Sequence, residues 1–391
     1  MQALRLYAGP RARLQIEKEG LQAADVGVVP AAAGGPKGLI LGPLDRFIFD
    51  HWLPQSHQTV HLVGASIGAW RMATACLDDP ANAFKRLEHD YIAQHYELKP
   101  GEKRPSAKFV SAKFGQNLDN FYGGRIHEVL NHPRYHLHVF TSRGRHLLGR
   151  EGPVRTPLGY LGAFLANTVQ RKSMGAWLER VVFSSPTAAS TSIAAVGAGA
   201  GSALPDLPFL TDDFRTRRVA LSEANFKQVI QASCSIPFVL EAVHNIPGAP
   251  RGAYWDGGIT DYHLHLNYTD ATNHIANNSY DSTASAQKSS RLVVYPHFQL
   301  SVVSGWLDKG LKWRHKATRH LDTMLLLAPN PDWVKTLPNA KLPDRNDFVR
   351  YGNDLAGRVK AWTTAASATQ QLADEFAAWL QKPDMARVLA I

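Results

Sequence analysis

The sequence predicts an α/β fold built on a mainly parallel central sheet, and three stretches carry that expectation. Val26 to Ala33 is an apolar run that ends in Gly34-Gly35-Pro36-Lys37-Gly38, the pattern of a buried strand entering a glycine turn. Val60-His61-Leu62-Val63 is a second such run, and it leads into Gly64-Ala65-Ser66-Ile67-Gly68, which reads as a nucleophile elbow between strand and helix. Between the two, Leu39, Ile40, Leu44, Phe47, Ile48 and Trp52 recur at helical spacing, with Pro36 suited to the first turn and Pro43 predicting a kink. A further helix is expected from Ala69 to Leu77. Residues 26–77 therefore form a β-α-β-α unit whose strands should pair in parallel.

Beyond this unit, Ala81 to Tyr96 and Phe121 to Leu130 read as helices, and Tyr135 to Thr141 alternates as a strand does. Leu158 to Leu178 reads as a helical insertion and Val181-Val182-Phe183 as a short strand. Thr187 to Ser202, rich in small residues, reads as a mobile loop or a loosely packed element. A helix is expected at Phe226 to Cys234, and a turn over 246–252 feeds Ala253-Tyr254-Trp255-Asp256-Gly257-Gly258. The polar stretch Asn267 to Ser290 reads as an exposed loop and not a domain boundary, because strand-like runs resume at Leu292 to Tyr295 and Thr323 to Ala328. Leu355, Val359, Trp362, Ala366, Leu372, Phe376 and Trp379 predict one amphipathic C-terminal helix packed on the body. The expected organisation is one large domain over 1–345, with an insertion near 146–178 and a polar loop near 267–290, followed by a helical segment over 346–391.

Composition narrows the class of partner. Of 391 residues, 45% are hydrophobic and 19% charged, which describes a soluble globular chain. No apolar run reaches the roughly 18 to 20 residues that cross a bilayer. The first thirty-one residues carry Arg5, Arg11, Arg13, Glu17, Lys18 and Glu19 where a signal peptide would be apolar, so a cytoplasmic protein is expected. On that reading the N-x-[ST] matches at Asn267 and Asn277 carry no meaning, and Cys76 and Cys234 are expected as buried free thiols. The net charge of +10 (43 basic, 33 acidic) favours anionic partners such as an acidic lipid surface. The basic residues are spread out, with no basic region interleaved with aromatics and no zinc-finger spacing, which argues against nucleic acid. No metal and no cofactor are expected.

Three separated pieces fit one reaction. In the elbow, small residues at Gly64 and Gly68 let neighbouring elements approach while Ser66 is held out of the sheet. The glycine turn offers amides unshielded by side chains at a helix start, the construction that holds an oxyanion; each such donor is worth about 3 kcal/mol of barrier. Its alternative is a phosphate-binding or purely structural turn, although the G-x-x-x-x-G-K-[ST] spacing of a P-loop is absent. Asp256, ending an aromatic run beside Gly257-Gly258, suits the crevice at the carboxyl ends of strands; its alternative is an ordinary Asp-Gly turn.

Taken together, a glycine loop after one strand, a G-x-S-x-G elbow after the next and a late Asp-Gly-Gly resemble the patatin-like phospholipase family. Gln231-Ala232-Ser233-Cys234-Ser235-Ile236-Pro237-Phe238 looks like that family's Ala-Ser-x-x-x-Pro stretch ahead of its Asp-Gly strand. The resemblance spans roughly residues 24–265. It implies a three-layer α/β/α patatin-like fold, a patatin-like catalytic domain over 1–345, and a Ser-Asp dyad with Ser66 as nucleophile and Asp256 as general base. It also implies an oxyanion loop of Gly34, Gly35 and Gly38 with Lys37 at its basic position. Where the family often has a third glycine this chain has Ala33, which keeps its amide. The implied activity is phospholipase A or lysophospholipase hydrolysis of acyl esters. An activating protein is compatible with it.

A different assignment draws on the 17 histidines: His263 and His265, with Asp261, could complete a Ser-His-Asp triad of the α/β-hydrolase kind. A third is a membrane- or protein-binding module that turns nothing over. Trp306 to Lys316 mixes tryptophan with basic groups and reads either as an anionic membrane interface or as an ordinary surface helix. Leu158, Tyr160, Leu161, Phe164, Leu165 and Val169 read either as a lid over an acyl groove or as a core helix.

Overall fold

The computed structural model describes residues 1–96, 105–186, 204, 206–269 and 291–391. The stretch Thr187 to Ser202 and the polar loop from 270 to 290, Asn277 included, lie outside the described residues. The chain is a mixed α/β protein around one mostly parallel sheet.

The strands are β1 (Leu4–Ala8), β2 (Val26–Ala31), β3 (Val60–Ala65), β4 (Tyr135–Gly144), β5 (Leu178–Ser184), β6 (Thr216–Ala220), β7 (Val243–His244), β8 (Ala253–Asp256), β9 (Leu292–Pro296), β10 (Met324–Pro329) and β11 (Val388–Ala390). Their order is β11-β1-β10-β9-β2-β3-β4-β5-β6, with β8 on β4 and β7 on β8. From β10 to β4 every neighbouring pair is parallel, and β2, β9 and β10 are buried along their whole length. A strand covered on both faces needs a continuous apolar run, which is what these segments supply. Pro30 lies within β2, opposite Val63 of β3 and past the last β2–β9 pair at Val28.

Several expectations need correction at element boundaries. The segment after the glycine turn is not one kinked helix. It runs as a 3-10 stretch (Gly35–Leu41), a short α-helix (Gly42–Arg46) with Pro43 in its first turn, and a π-helical stretch (Phe47–Trp52). The helix expected over 121–130 is split by Gly123 and Gly124, the latter at φ +76°, into Ala107–Tyr122 and Ile126–Leu130. The C-terminal pattern forms two helices, Leu355–Ala368 and Gln370–Gln381, instead of one. The second packs Phe376 edge-on to Phe47 and Trp52. The chain then returns to the sheet, where β11 pairs with β1. Trp306 to Lys316 is no regular helix but two 3-10 turns, Trp306–Asp308 and Lys312–Arg314. No described helix is long and apolar enough to cross a membrane.

One register decides what the sheet does. β4 offers a single edge to two strands in succession: β3 pairs with residues 135–140 and β8, running the other way, with residues 141–143. Ala65 is thus opposite Phe140 while Asp256 is opposite Thr141. Ser66, which follows Ala65, is thereby brought to Asp256, 190 residues further along the chain, by consecutive residues of one strand.

Candidate active site

Ser66 follows directly on β3 and caps the helix Ile67–Ala75 with φ 56° and ψ −129°. A non-glycine residue rarely holds such a backbone, which costs on the order of 1–3 kcal/mol and persists only where packing enforces it. Here the enforcement is close contact. A Cβ on Gly64 would lie 2.5 Å from the Ala69 Cα, and one on Gly68 would lie 1.9 Å from the Ala31 carbonyl oxygen at the end of β2. The helix is also tied to the preceding segment by a buried bidentate ion pair, Arg71 to Asp45, at 2.7 Å for both bonds.

The turn presents the serine to a carboxylate. Ser66 Oγ donates to Asp256 Oδ2 at 2.7 Å, and both residues are buried. The other carboxylate oxygen accepts from the Gly258 amide at 2.7 Å, so the tight Gly257-Gly258 turn orients the aspartate. A Cβ on Gly257 would meet the Phe140 carbonyl at 2.2 Å, which is why glycine is required there. Ser233 Oγ accepts the Ser66 amide at 2.9 Å and donates to the Phe140 carbonyl at 2.7 Å, locking the elbow to β4. Burial raises the Asp256 carboxyl to about 6, against the opposing pull of the Ser66 hydroxyl, Arg345 and the Gly258 amide. That makes it a stronger base than an ordinary carboxylate while leaving it largely ionised at neutral pH.

The dyad opens into a cavity of about 240 Å³ whose lining includes Gly34, Lys37, Ile236, Pro237, Trp306, Lys309 and Arg345. The glycine loop is only partly as expected. Gly34 and Lys37 line the cavity, whereas Gly35 packs against Arg345 and Gly38 against Ile67 and Arg71. Ala33 does keep its amide, but donates it to the Tyr262 carbonyl at 2.9 Å and so has none to offer an oxyanion. Among the described residues no acceptor takes the amides of Gly34, Gly35 or Ile67, which leaves donors from both the loop and the elbow helix.

Three cations reach the cavity wall: Lys37, whose ammonium stands over the Phe298 ring at 5.2 Å, Lys309 over Tyr262 at 4.3 Å, and Arg345. Desolvation, then Lys37 and Arg345, lower the Lys309 ammonium to about 8. Asp344 lines the same cavity and acts on Lys37, while sharing Lys341, at 2.9 Å, with Asp347. Lys309 falls within the Trp306 to Lys316 stretch singled out for its tryptophans and basic groups, but nothing in the sequence places it at this cavity, and nothing marks Arg345 at all. Ser233 lay in plain sight within the quoted motif, but its hydrogen bonds could not be read from it.

The histidine triad is not assembled. His263 Nδ1 lies 3.0 Å from both the Ser301 carbonyl oxygen and the Val303 amide nitrogen, and burial pushes this imidazole well below its ordinary range. His265 uses one ring nitrogen on the Val302 carbonyl and the other on the Thr318 hydroxyl. Asp261 is held by Arg180 at 2.6 Å and by Arg171 at 3.3 Å. None of the three hydrogen-bonds Ser66 or Asp256. Of the residues read as a lid or a core helix, only Tyr160 is buried; Leu158, Leu161, Phe164, Leu165 and Val169 are exposed. No family model matches the chain, and no curated protein matches it.

Proposed function

We propose that this chain is a serine lipid acyl hydrolase of the patatin-like kind, a phospholipase A or lysophospholipase acting through a Ser66–Asp256 dyad on the three-layer α/β/α fold of that family. The observation that carries the reading is the 2.7 Å hydrogen bond from a serine on a strained elbow to a buried carboxylate, with no histidine between them. In the reaction, Ser66 Oγ attacks the ester carbonyl carbon as its proton passes to Asp256. The amides of Gly34, Gly35 and Ile67 are the donors available to the tetrahedral oxyanion. Asp256 returns the proton to the leaving alcohol, forming an acyl-Ser66 ester. A water that gives its proton to Asp256 then cleaves this ester, and the proton goes back to Ser66.

The charge of the cavity wall supports one substrate class over others. Lys37, Lys309 and Arg345 favour an ester that carries an anionic group close to the scissile carbonyl, as a phospholipid headgroup does. The protein would work from the cytoplasmic side of an anionic membrane, and an activating protein fits the same reading.

Purified protein assayed against phospholipids, lysophospholipids and neutral glycerides is expected to release fatty acid from the anionic classes, with Ser66→Ala lowering turnover by about 10⁴-fold or more. Turnover that survives Ser66→Ala contradicts the assignment. No hydrolysis of any class would favour a binding module instead.

A further inference from the structure

The helix Arg155–Val169 has two apolar faces, and only one is covered. Thr156, Gly159, Tyr160, Ala163 and Asn167 are buried, and Tyr160 and Ala163 join Leu148, Met174, Trp255 and Ile259 in a second, smaller core. On the other side Leu158, Leu161, Leu165 and Val169 are 53, 54, 56 and 84% exposed, and Val154, just before the helix, is 67% exposed. Steps of three and four residues place these five on one stripe along the axis, about 20 Å long at about 1.5 Å per residue. Phe164, also exposed, widens it. From Thr156 to Gln170 there is no charged residue. Surface helices ordinarily turn a polar face to water, and a helix apolar all round ordinarily lies buried.

The apolar ground runs on to the lip of the cavity. Phe238 and Val239 are exposed and follow Ile236 and Pro237, which line the cavity; the Phe238 ring meets that of Tyr160 at 6.1 Å. At the far end the turn Trp306–Asp308 is fastened to the helix. Asn167 Nδ2 donates to Asp308 Oδ1 at 2.8 Å, Arg314 Nη2 donates to the Thr168 carbonyl at 3.2 Å, and Trp306 again lines the cavity.

The border of this ground is cationic. Lys172 follows the helix, and Lys309, Lys312 and Lys316 are exposed around Trp313, itself 65% exposed. Between residues 301 and 320 the one acid is Asp308, which is buried and held by Arg171 and Arg314. Along 301–320 the exposed charge is therefore positive, whereas the exposed acids near this face, Glu151, Asp212 and Glu241, lie at the ends of other segments.

We propose that this face, Val154 to Val169 with Phe238 and Val239, docks on an anionic lipid bilayer. Its aliphatic side chains enter the boundary between headgroups and acyl chains, Trp313 sits at the interface, and the lysines meet anionic headgroups. A second copy of the chain would cover the stripe equally well, but it would bring like-charged lysines against this rim, so charge complementarity selects the bilayer. Docking in this pose would set the mouth of the Ser66 cavity against the membrane, which rests on the proposed lipid hydrolysis. The docking itself does not.

Co-sedimentation of full-length Ser66→Ala protein with vesicles keeps binding separate from turnover. Vesicles of phosphatidylcholine mixed with phosphatidylglycerol are expected to carry the protein down, those of phosphatidylcholine alone far less, and added salt should weaken binding. Lys312→Ala and Lys316→Ala should each weaken it by about fivefold, and Leu161→Asp with Leu165→Asp by more than about tenfold. An unchanged thermal melt shows that the paired aspartates leave the fold intact, since both positions face water. Absence of binding to either vesicle, or tight binding by the aspartate variant, overturns the proposal. So does a dimer in sedimentation equilibrium that the same substitutions dissociate. If vesicles bind but wild-type protein cleaves no lipid, docking stands and the hydrolase reading fails.

Discussion

Replacing Asp256 with asparagine is expected to lower turnover about 10⁴-fold while making the folded protein more stable at pH 7. The amide keeps both hydrogen bonds in mirrored form, accepting from the Gly258 amide and donating to Ser66 Oγ, but it can no longer take the serine proton. Stability moves the other way because of burial. The carboxyl is raised from its usual 3.8 to about 6 in the fold, so the folded state holds its proton more tightly than the unfolded chain does. That stabilisation is fully present below the unfolded value and is lost as pH rises through about 6. At neutral pH the ionised group is a net cost on the order of 3 kcal/mol, which asparagine relieves in part. Thermal melts should therefore place the variant above wild type at pH 7, by a margin that shrinks below pH 5. The wild-type kcat/KM should fall tenfold per pH unit below an apparent pKa near 6, because only ionised Asp256 can act as base. A variant that retains turnover, or melts lower at pH 7, would contradict this account of Asp256.

The second large effect is structural. Gly68→Ala should destabilise by about 3 kcal/mol or more, since the added methyl would sit 1.9 Å from the Ala31 carbonyl oxygen and 2.9 Å from that of Ala32, both backbone atoms. Relief requires pushing the elbow helix away from the end of β2, where the glycine loop begins, so the fraction that folds should also lose kcat. Gly310 is the control. Nothing lies within 4 Å of a Cβ there and its φ is ordinary, so Gly310→Ala should change stability by no more than about 0.5 kcal/mol. Urea unfolding of the two variants beside wild type measures the contrast.

The elements that position Ser66 were legible because a fully buried parallel strand has no choice but to be apolar. β2 and β9 announce themselves as unbroken runs and β3 as a run interrupted only by the half-buried His61, and Gly64 and Gly68 mark where backbones come close. β6 was not legible: Thr216, Arg217 and Arg218 are half-buried or exposed on the edge of the sheet, and an edge strand under no burial constraint carries no apolar signal. β1 was hidden for another reason. Its five residues are specified by pairing with β10 and β11 from the far end of the chain.

For the site, residue type was readable and placement was not. Ser66, Asp256 and the glycine loop could be singled out by their neighbours in sequence. That they meet follows from β3 and β8 sharing one edge of β4, a register that no local pattern encodes. Lys309 and Arg345 are ordinary surface residues until the fold turns them toward the cavity. The aliphatic residues from Leu158 to Val169 show the converse case, since periodicity marks an apolar face but cannot say whether protein, water or lipid lies against it.

In the proposed reaction Ser66 is a nucleophile activated by Asp256. Treating the purified protein with a fluorophosphonate and locating the adduct by peptide mass spectrometry tests it directly. One phosphonylated residue, Ser66, is expected, with labelling abolished by Ser66→Ala, strongly slowed by Asp256→Asn, and unchanged by His263→Ala or His265→Ala in protein that remains folded. Labelling that is absent in the wild type, or that survives Ser66→Ala, would contradict it.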